Sequence, residues 1–211
     1  MTEYEKMHNG MIYDCMNEDL MAIQKESHRL CEIYNSLGVD KGEEKDKILR
    51  KLFPEDDFGA FRAMEAPIFI DNLREIKIGK NFYSNIHFSF IGGNVAEIGD
   101  NVFIGPYCVL ATGMHSLVAE ERRVSFDDKG RPHDFEYGKP IKIGNDVWIA
   151  SNVTICGGVS IGNRSVIGAG SVVTKDIPEG VLAWGNPCKV IRKITEKDSM
   201  YLKVKRDLYE G

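Results

Sequence analysis

The chain has 211 residues, of which 43% are hydrophobic and 28% are charged, with a net charge of −5. This length allows one large domain, or one domain with an appendage, and the acidic balance argues against a nucleic-acid partner. No apolar run is long enough to span a membrane, and residues 1–9 do not resemble a secretion signal. Five scattered cysteines without a CxxC pair argue against structural zinc or a disulfide framework. We therefore expect a reducing, cytoplasmic setting and no membrane partner.

Residues 1–55 predict a helical N-terminal cap. Asn17 can cap a helix whose apolar residues keep helical spacing, and Gly38 follows its end. A second helix is predicted from about Gly42 to Phe53, with acidic residues early and basic residues late. Because such short helices are unstable alone, we expect them to cover the first coil of the next domain or a neighbouring subunit. Two roles of this helical cap remain open: it could be a purely structural lid, or it could contribute residues to the substrate site.

A six-residue repeat over residues 143–178 is the clearest pattern in the chain. An aliphatic residue opens every block, and a small residue usually follows it. Neither a helix nor simple strand alternation has this period, which is typical of a parallel β-helix. Three blocks form one triangular coil, and coils stack at about 4.8 Å. The residues predicted to point inward are Ile143, Ile149, Ile155, Ile161, Ile167 and Val173.

The β-helix domain is predicted to cover residues 56–194, with an irregular opening over 56–75. The repeat slips out of phase at 90–97, where two adjacent glycines indicate a turn or bulge. An excursion of about 113–140 has no hexads, and such a long unstructured loop is usually functional or mobile. Residues 195–211 form the C-terminal part of a polar tail that could adopt a helix.

His115 ends a hexad at the mouth of the excursion. A histidine titrates near neutral pH, so it can accept a proton from a hydroxyl group as a general base. A second group of residues lies where the last coil ends, and its basic members suit a phosphate-bearing ligand or an ordinary solvated surface. These residues are Thr174, Lys175, Lys189 and Arg192.

Six stretches of the chain form a recognisable set of motifs. They are EKMHNGMIYD near the N-terminus, NFYSN at 81–85, TGMH at 112–115, IGNDVWIASN at 143–152, IGAGSVVTKDIP at 167–178 and GNPCKVIRKI at 185–194. Together they resemble the galactoside and maltose O-acetyltransferases, including the nodulation-type sugar acetyltransferases of bacteria. The resemblance implies a mainly β fold, a left-handed parallel β-helix of hexapeptide repeats. It also implies a homotrimer with acetyl-CoA in the groove between adjacent β-helices.

The resemblance further implies direct acetyl transfer to a sugar hydroxyl, without an acyl-enzyme or a metal. His115 is then the general base, Asn85 orients the acceptor, and the backbone N–H of Ser151 stabilises the oxyanion. The acceptor-binding positions that it implies are Asp14, Asp71, Tyr83 and Asn85. The coenzyme-binding positions that it implies are Ser151, Trp148, Ala169, Thr174, Lys175, Lys189 and Arg192.

The acceptor side departs from the family pattern. Gly93 stands where the family usually has an acceptor-binding aspartate, and the excursion after His115 is longer than usual. We therefore expect simple galactosides and maltose to be poor acceptors. We also expect Gly93→Asp to improve them by restoring a carboxylate.

Three other readings remain. The acceptor could be an amino acid or an antibiotic instead of a sugar. A zinc-dependent hydratase of the γ-carbonic-anhydrase type shares this fold, but it needs three histidines that converge across a subunit boundary, for which His87, His115 and His133 have poor spacing. A non-catalytic scaffold would leave the combination of His115, Asn85 and Ser151 unexplained.

Overall fold

The computed structural model describes residues 1–54 and 61–201. Three helices open the chain: α1 (Glu3–His8), α2 (Glu18–Ser36) and α3 (Gly42–Leu52). The side chain of Asn17 accepts hydrogen bonds from the backbone N–H groups of the first turn of α2, as the sequence predicts. The predicted second helix is also confirmed and ends at Leu52.

Twenty-one short strands follow or interrupt these helices within the described ranges. They are β1 Tyr13–Asp14, β2 Arg62–Met64, β3 Ile68–Ile70, β4 Ile76–Ile78, β5 Phe82–Ser84, β6 Phe88–Ile91, β7 Ala96–Ile98, β8 Phe103–Ile104, β9 Val109–Ala111, β10 Gly113–Met114, β11 Ser125–Phe126, β12 Pro132–His133, β13 Phe135–Gly138, β14 Ile141–Ile143, β15 Trp148–Ile149, β16 Thr154–Cys156, β17 Ser160–Ile161, β18 Val166–Ile167, β19 Val172–Val173, β20 Val181–Trp184 and β21 Lys189–Lys193.

Most of these strands form the three faces of a β-helix. Sheet 1 has the order β2-β5-β8-β15-β18-β20-β21, sheet 2 has β19-β16-β9-β6-β3, and sheet 3 has β17-β14-β7-β4. Pairing between coils is parallel throughout, up to β20. Ile149 pairs with Ile167, eighteen residues further on, as the hexads predict. All six of the predicted inward-pointing residues of the repeat are buried.

The earlier coils are longer than the hexads predict. Ile78 pairs with Ile98, twenty residues further on, and Phe90 likewise pairs with Leu110. The two extra residues of each coil lie in the turn from sheet 2 to sheet 3, which explains the phase slip at 90–97. The excursion leaves the β-helix at this same turn, between β9 and β14. We call this border of the β-helix the 2–3 edge.

Two expectations about irregular segments are wrong. Residues 61–75 already contain β2, β3 and the turn before β4, so the coils begin before the first recognisable hexad; residues 56–60 lie outside the described residues. The excursion is not unstructured, because β11 pairs with β12, and β13 pairs antiparallel with both β1 and β10. These strand pairings supply hydrogen-bonding partners for the exposed backbone N–H and C=O groups of the excursion.

The C-terminal segment also differs from the expected tail. β21 turns back and pairs antiparallel with β20, which extends sheet 1. A short 3-10 turn over Glu196–Asp198 follows. Residues 202–211 of the predicted tail lie outside the described residues.

The helices α2 and α3 cover the first coil of the β-helix. Their buried side chains, among them Leu30, Tyr34 and Leu52, belong to the same apolar core as Met64 and Ile70 of the opening strands. The hydroxyl of Tyr34 donates to the backbone carbonyl of Met64. All five cysteines are free thiols. Of the helices in the described ranges, none combines the length and apolarity needed to cross a bilayer.

Candidate active site

A cavity of about 210 Å³ opens at the 2–3 edge, between the β-helix, the N-terminal segment and the excursion. It is smaller than the roughly 300–1,000 Å³ of a typical drug-sized site, so it suits one small group such as a single sugar ring. The described residues that line it are Met7, Tyr13, Cys15, Leu20, Gln24, Asp71, Asn72, Ile91, Gly92, Gly113, His115 and Glu136.

Three glycines let the excursion pack directly on this edge. A Cβ atom added at Gly93 would lie only 2.5 Å from the Cα atom of Gly113 in β10. One added at Gly138 in β13 would collide with the backbone carbonyl of Gly93. The geometry argues against a benefit from Gly93→Asp, because the added side chain would meet the backbone of β10, whereas no positive φ is involved at this position.

His115 projects into the cavity from the residue just after β10. Its Nε2 atom lies 3.5 Å from Oε1 of Glu136, and its side chain is 56% exposed while that of Glu136 is 19% exposed. The hydroxyl of the buried Tyr13 donates to Oε2 of Glu136 at 3.0 Å. Burial and the charge of Glu136 raise the pKa of Tyr13 far above its usual value. The tyrosine therefore stays a hydrogen-bond donor.

Cys15 is a neutral thiol in this cavity. Burial, together with the charges of Glu136 and Asp134, raises the pKa of Cys15 to about 12. A thiol with such a high pKa carries almost no thiolate at neutral pH, so it is unsuited to nucleophilic catalysis. This arrangement agrees with a reaction that needs no acyl-enzyme.

Asp71, a predicted acceptor-binding residue, lies in the cavity and is held by α2. Its Oδ1 atom lies 2.9 Å from Nε2 of His28 and accepts a hydrogen bond from the side-chain amide of Gln24, also at 2.9 Å. Gln24 and His28 were not among the residues that the sequence motifs indicated. Their spacing of four residues puts them on one face of a helix, which is the signal that could have found them.

Asp14, also predicted to bind the acceptor, instead ties the excursion to the N-terminal segment. Its Oδ2 atom lies 2.6 Å from Nδ1 of His133, and its Oδ1 atom accepts from the backbone N–H groups of Asp134 and Met16. Burial acts to raise the pKa of Asp14, but these hydrogen bonds outweigh it and hold that pKa below its usual value. Asp14 is not among the residues that line the cavity.

Other predicted site residues lie on a different edge of the β-helix, where the chain turns from sheet 1 to sheet 2. Tyr83 and Trp148 are in sheet 1, and Asn85, Ser151 and Ala169 follow its strands. Backbone hydrogen bonds between successive coils align the positions at this edge. The N–H of Asn85 donates to the carbonyl of Ile104, and the N–H of Gly170 donates to the carbonyl of Ser151. We call this border the 1–2 edge. Within one chain these residues and His115 therefore occupy separate edges.

The basic cluster is likewise divided. Thr174 and Lys175 follow β19 at the 2–3 edge, whereas Lys189 and Arg192 lie on β21, the last strand of sheet 1, and all four are exposed. Arg192 is paired through two hydrogen bonds, of 2.8 and 2.7 Å, with the carboxylate of Asp198. A phosphate ligand would have to compete with that carboxylate.

Within one chain, each of the three histidines of the hydratase reading has a different partner. His87 stacks on Tyr107 with ring centroids 4.5 Å apart, His133 binds Asp14, and His115 faces Glu136. The described residues do contain one group of potential metal ligands with all atoms within 4.8 Å, but it consists of Cys15, Asp134 and Glu136. It contains no histidine.

Comparison with known proteins places this architecture in a family. The family model "Bacterial transferase hexapeptide (six repeats)" matches residues 140–175, and the model "Maltose acetyltransferase hexapeptide capping motif" matches residues 6–56. The galactoside O-acetyltransferase of Escherichia coli (strain K12) is 36% identical over 197 residues, which cover 93% of this chain and 92% of the relative.

Two solved structures agree with this assignment. A maltose O-acetyltransferase from Clostridium difficile 630 is 40% identical, with a TM-score of 0.84 over 93% of this chain and 99% of the other. A galactoside acetyltransferase solved in complex with coenzyme A is 36% identical, with a TM-score of 0.82 over 94% of each chain. The expected fold class, a left-handed parallel β-helix, is confirmed. The chain is therefore an acetyltransferase and belongs to the galactoside and maltose O-acetyltransferase family of hexapeptide-repeat acyltransferases.

Proposed function

We propose that this enzyme moves an acetyl group from acetyl-CoA to a hydroxyl of a sugar or glycoside, with His115 as the general base. The observation that carries the proposal is the position of His115, whose Nε2 atom opens into a small cavity lined by hydrogen-bonding groups. Asp71 and Glu136 in that cavity can accept hydrogen bonds from sugar hydroxyls. Similarity to a galactoside acetyltransferase that binds coenzyme A supports the choice of donor.

The transfer is direct in this proposal. The acceptor oxygen attacks the thioester carbonyl carbon and forms the new C–O bond, while Nε2 of His115 takes the hydroxyl proton. Collapse of the tetrahedral intermediate breaks the C–S bond, and the proton passes from His115 to the departing CoA sulfur. Among the described residues no acceptor pairs with the backbone N–H of Ser151, so it is available to the oxyanion. One such donor contributes about 2.7–4 kcal/mol.

A homotrimer would bring the two edges together. His115 and Ser151 lie on different edges of one chain, so a second copy must supply the 1–2 edge to the first copy's 2–3 edge. Sheet 1 offers a surface for that contact, because Phe103, Trp148 and Trp184 on it are about half exposed. Acetyl-CoA would then lie between two copies, with Asn85 and Tyr83 beside the acceptor and Trp148 and Ala169 along the coenzyme.

The exposed basic residues would hold the nucleotide end of the coenzyme. Lys175, Lys189 and Arg192 present cations and Thr174 presents a hydroxyl, which suits phosphate groups. A cytoplasmic setting, where acetyl-CoA and reduced thiols coexist, is part of the proposal and is supported by the five free cysteines.

Substitution of His115 tests this function. His115→Ala should lower acetyl transfer about 100- to 10,000-fold, as expected for removal of a general base, and leave acetyl-CoA binding intact. The assay measures thiol release from acetyl-CoA with a panel of glycosides, serine and chloramphenicol, which also decides between sugar and non-sugar acceptors. His8→Asn is a matched control, because His8 is an exposed histidine at the end of α1 that does not line this cavity.

Two outcomes would contradict the proposal. Equal loss of coenzyme affinity in His115→Ala would mean that the histidine does not serve the acceptor. A monomer by light scattering that still turns over acetyl-CoA would refute the shared groove.

A further inference from the structure

Glu136 places a carboxylate beside the reactive nitrogen of His115. Its strand, β13, pairs with β1 so that Glu136 lies opposite Tyr13. The Tyr13 hydroxyl, which is buried, donates to Oε2 of Glu136 at 3.0 Å. The thiol of Cys15 also hydrogen-bonds to this carboxylate, and Oε1 lies 3.5 Å from Nε2 of His115.

Oε1 of Glu136 and Nε2 of His115 can both accept hydrogen bonds from a ligand. A general base must have an unprotonated Nε2 atom, and such an atom is a hydrogen-bond acceptor, as is a carboxylate oxygen. Two acceptors cannot bond to each other, and their separation of 3.5 Å exceeds the roughly 2.7–2.9 Å of a charge-assisted hydrogen bond. Both atoms border the same cavity, so one ligand can donate to both.

The short separation restricts the chemistry of that ligand. If the reacting hydroxyl donates to His115, a donor on the neighbouring carbon matches the 3.5 Å separation closely, as in neighbouring hydroxyls of a sugar ring or a hydroxyl beside an amine. No lysine or arginine is among the described residues that line the cavity, whereas Asp71 adds a second carboxylate. An anionic neighbour would therefore be repelled, and a neutral or cationic donor is favoured.

We infer that Glu136 determines acceptor specificity by binding a hydroxyl or ammonium group on the carbon next to the acetylated hydroxyl. The substrate class is then a vicinal diol or a vicinal amino alcohol. This inference rests on the proposed acetyl transfer at His115 and adds a requirement that His115 alone does not impose. Glu136 lies in the excursion, and the sequence motifs did not indicate it.

The test compares acceptors that differ by one hydroxyl. The best acceptor of the glycoside panel is acetylated with the wild-type enzyme, the product is located by NMR, and analogues deoxygenated or aminated at each neighbouring carbon are then assayed. For the wild-type enzyme, kcat/KM should fall at least tenfold when one of the neighbouring hydroxyls is removed. It should be retained when an amine replaces that hydroxyl. Glu136→Gln and Glu136→Met should both lose this preference, whereas Glu97→Gln, an exposed glutamate of sheet 3, should keep it.

Each outcome of this experiment either supports or contradicts the inference about Glu136. If both Glu136 variants lose activity equally toward the parent and the deoxy acceptor, Glu136 only positions His115 and the inference is wrong. The same conclusion follows if wild-type enzyme accepts every deoxy analogue as well as the parent, a result that does not depend on how the variants fold. Unchanged KM for acetyl-CoA and unchanged melting temperature show that the variants are intact. Absence of transfer to any glycoside would overturn the proposed function itself.

Discussion

Gly93→Ala should damage the active site through the backbone. The added Cβ atom would lie 2.5 Å from the Cα atom of Gly113, whereas carbon atoms are comfortable at about 3.5–4.0 Å. Strand β10 must therefore move by about 1 Å, and His115 is two residues from Gly113. Overpacking of this size costs about 1–3 kcal/mol, and a displacement of about 1 Å at a catalytic group lowers the rate about 100-fold.

Thermal unfolding and steady-state kinetics with acetyl-CoA measure both effects. Gly113→Ala is the matched control for stability, because a Cβ atom there meets Gly92 at an ordinary 3.7 Å. Gly42→Ala is the control for activity. Nothing lies within 4 Å of its added Cβ atom, and Gly42 lies in α3, far from Gly93 in sequence. A Gly93→Ala enzyme with wild-type stability and kcat would refute the close packing of β10. Gly93→Asp should be worse than Gly93→Ala.

Three further predictions follow from the packing, the cavity and the basic cluster. Ile149→Ala should lower the free energy of unfolding by about 2–5 kcal/mol in urea titrations, because Ile149 is fully buried in sheet 1; a change below about 0.5 kcal/mol would contradict the stacked core. Cys15, with a pKa raised to about 12, should react with iodoacetamide at pH 8 far more slowly in the native protein than in denaturant. Ionisation of Cys15 disfavours the folded state, because the pKa of the thiol is higher in the folded than in the unfolded chain. The stability that the neutral thiol contributes is therefore present below about pH 9 and is lost as the pH rises toward 12. Lys175→Ala should raise the KM for acetyl-CoA with little change in kcat, and a kcat defect at unchanged KM would place Lys175 in the chemistry instead.

The helices and the regular coils follow from local sequence patterns. Asn17 supplies the side-chain acceptor that a helix N-terminus needs, and the six-residue period brings one aliphatic residue per block into the core. Each element depends on residues close in sequence or at a constant interval, so a repeat such as that of Ile149 and Ile167 can be read directly. The handedness of the β-helix came only from the resemblance to a known family.

The site was predicted only in part, because its residues come together over long distances in sequence. His115 was found at the end of a hexad where the repeat stops, and Asp71 from the resemblance to the family. Glu136 was missed, since its place depends on an antiparallel pairing of β13 with β1, across more than 120 residues. Gly93 was interpreted as a lost acceptor contact, and only the structure shows that it is also a site of close backbone packing.

The sequence by itself determined the coil, its inward-facing residues, the two capping helices and the position of His115 at the excursion. The hexad period is sufficient for the coil and its inward-facing residues, because every coil repeats the same local geometry, whereas the helices follow from capping and helical spacing. Only the tertiary structure decided what surrounds that histidine. The extra residues of the early coils and the excursion all leave the β-helix at one edge, so segments without any shared pattern meet there. Glu136, Tyr13 and Cys15 thereby come to face His115, and the residues of the 1–2 edge remain apart from it within a single chain.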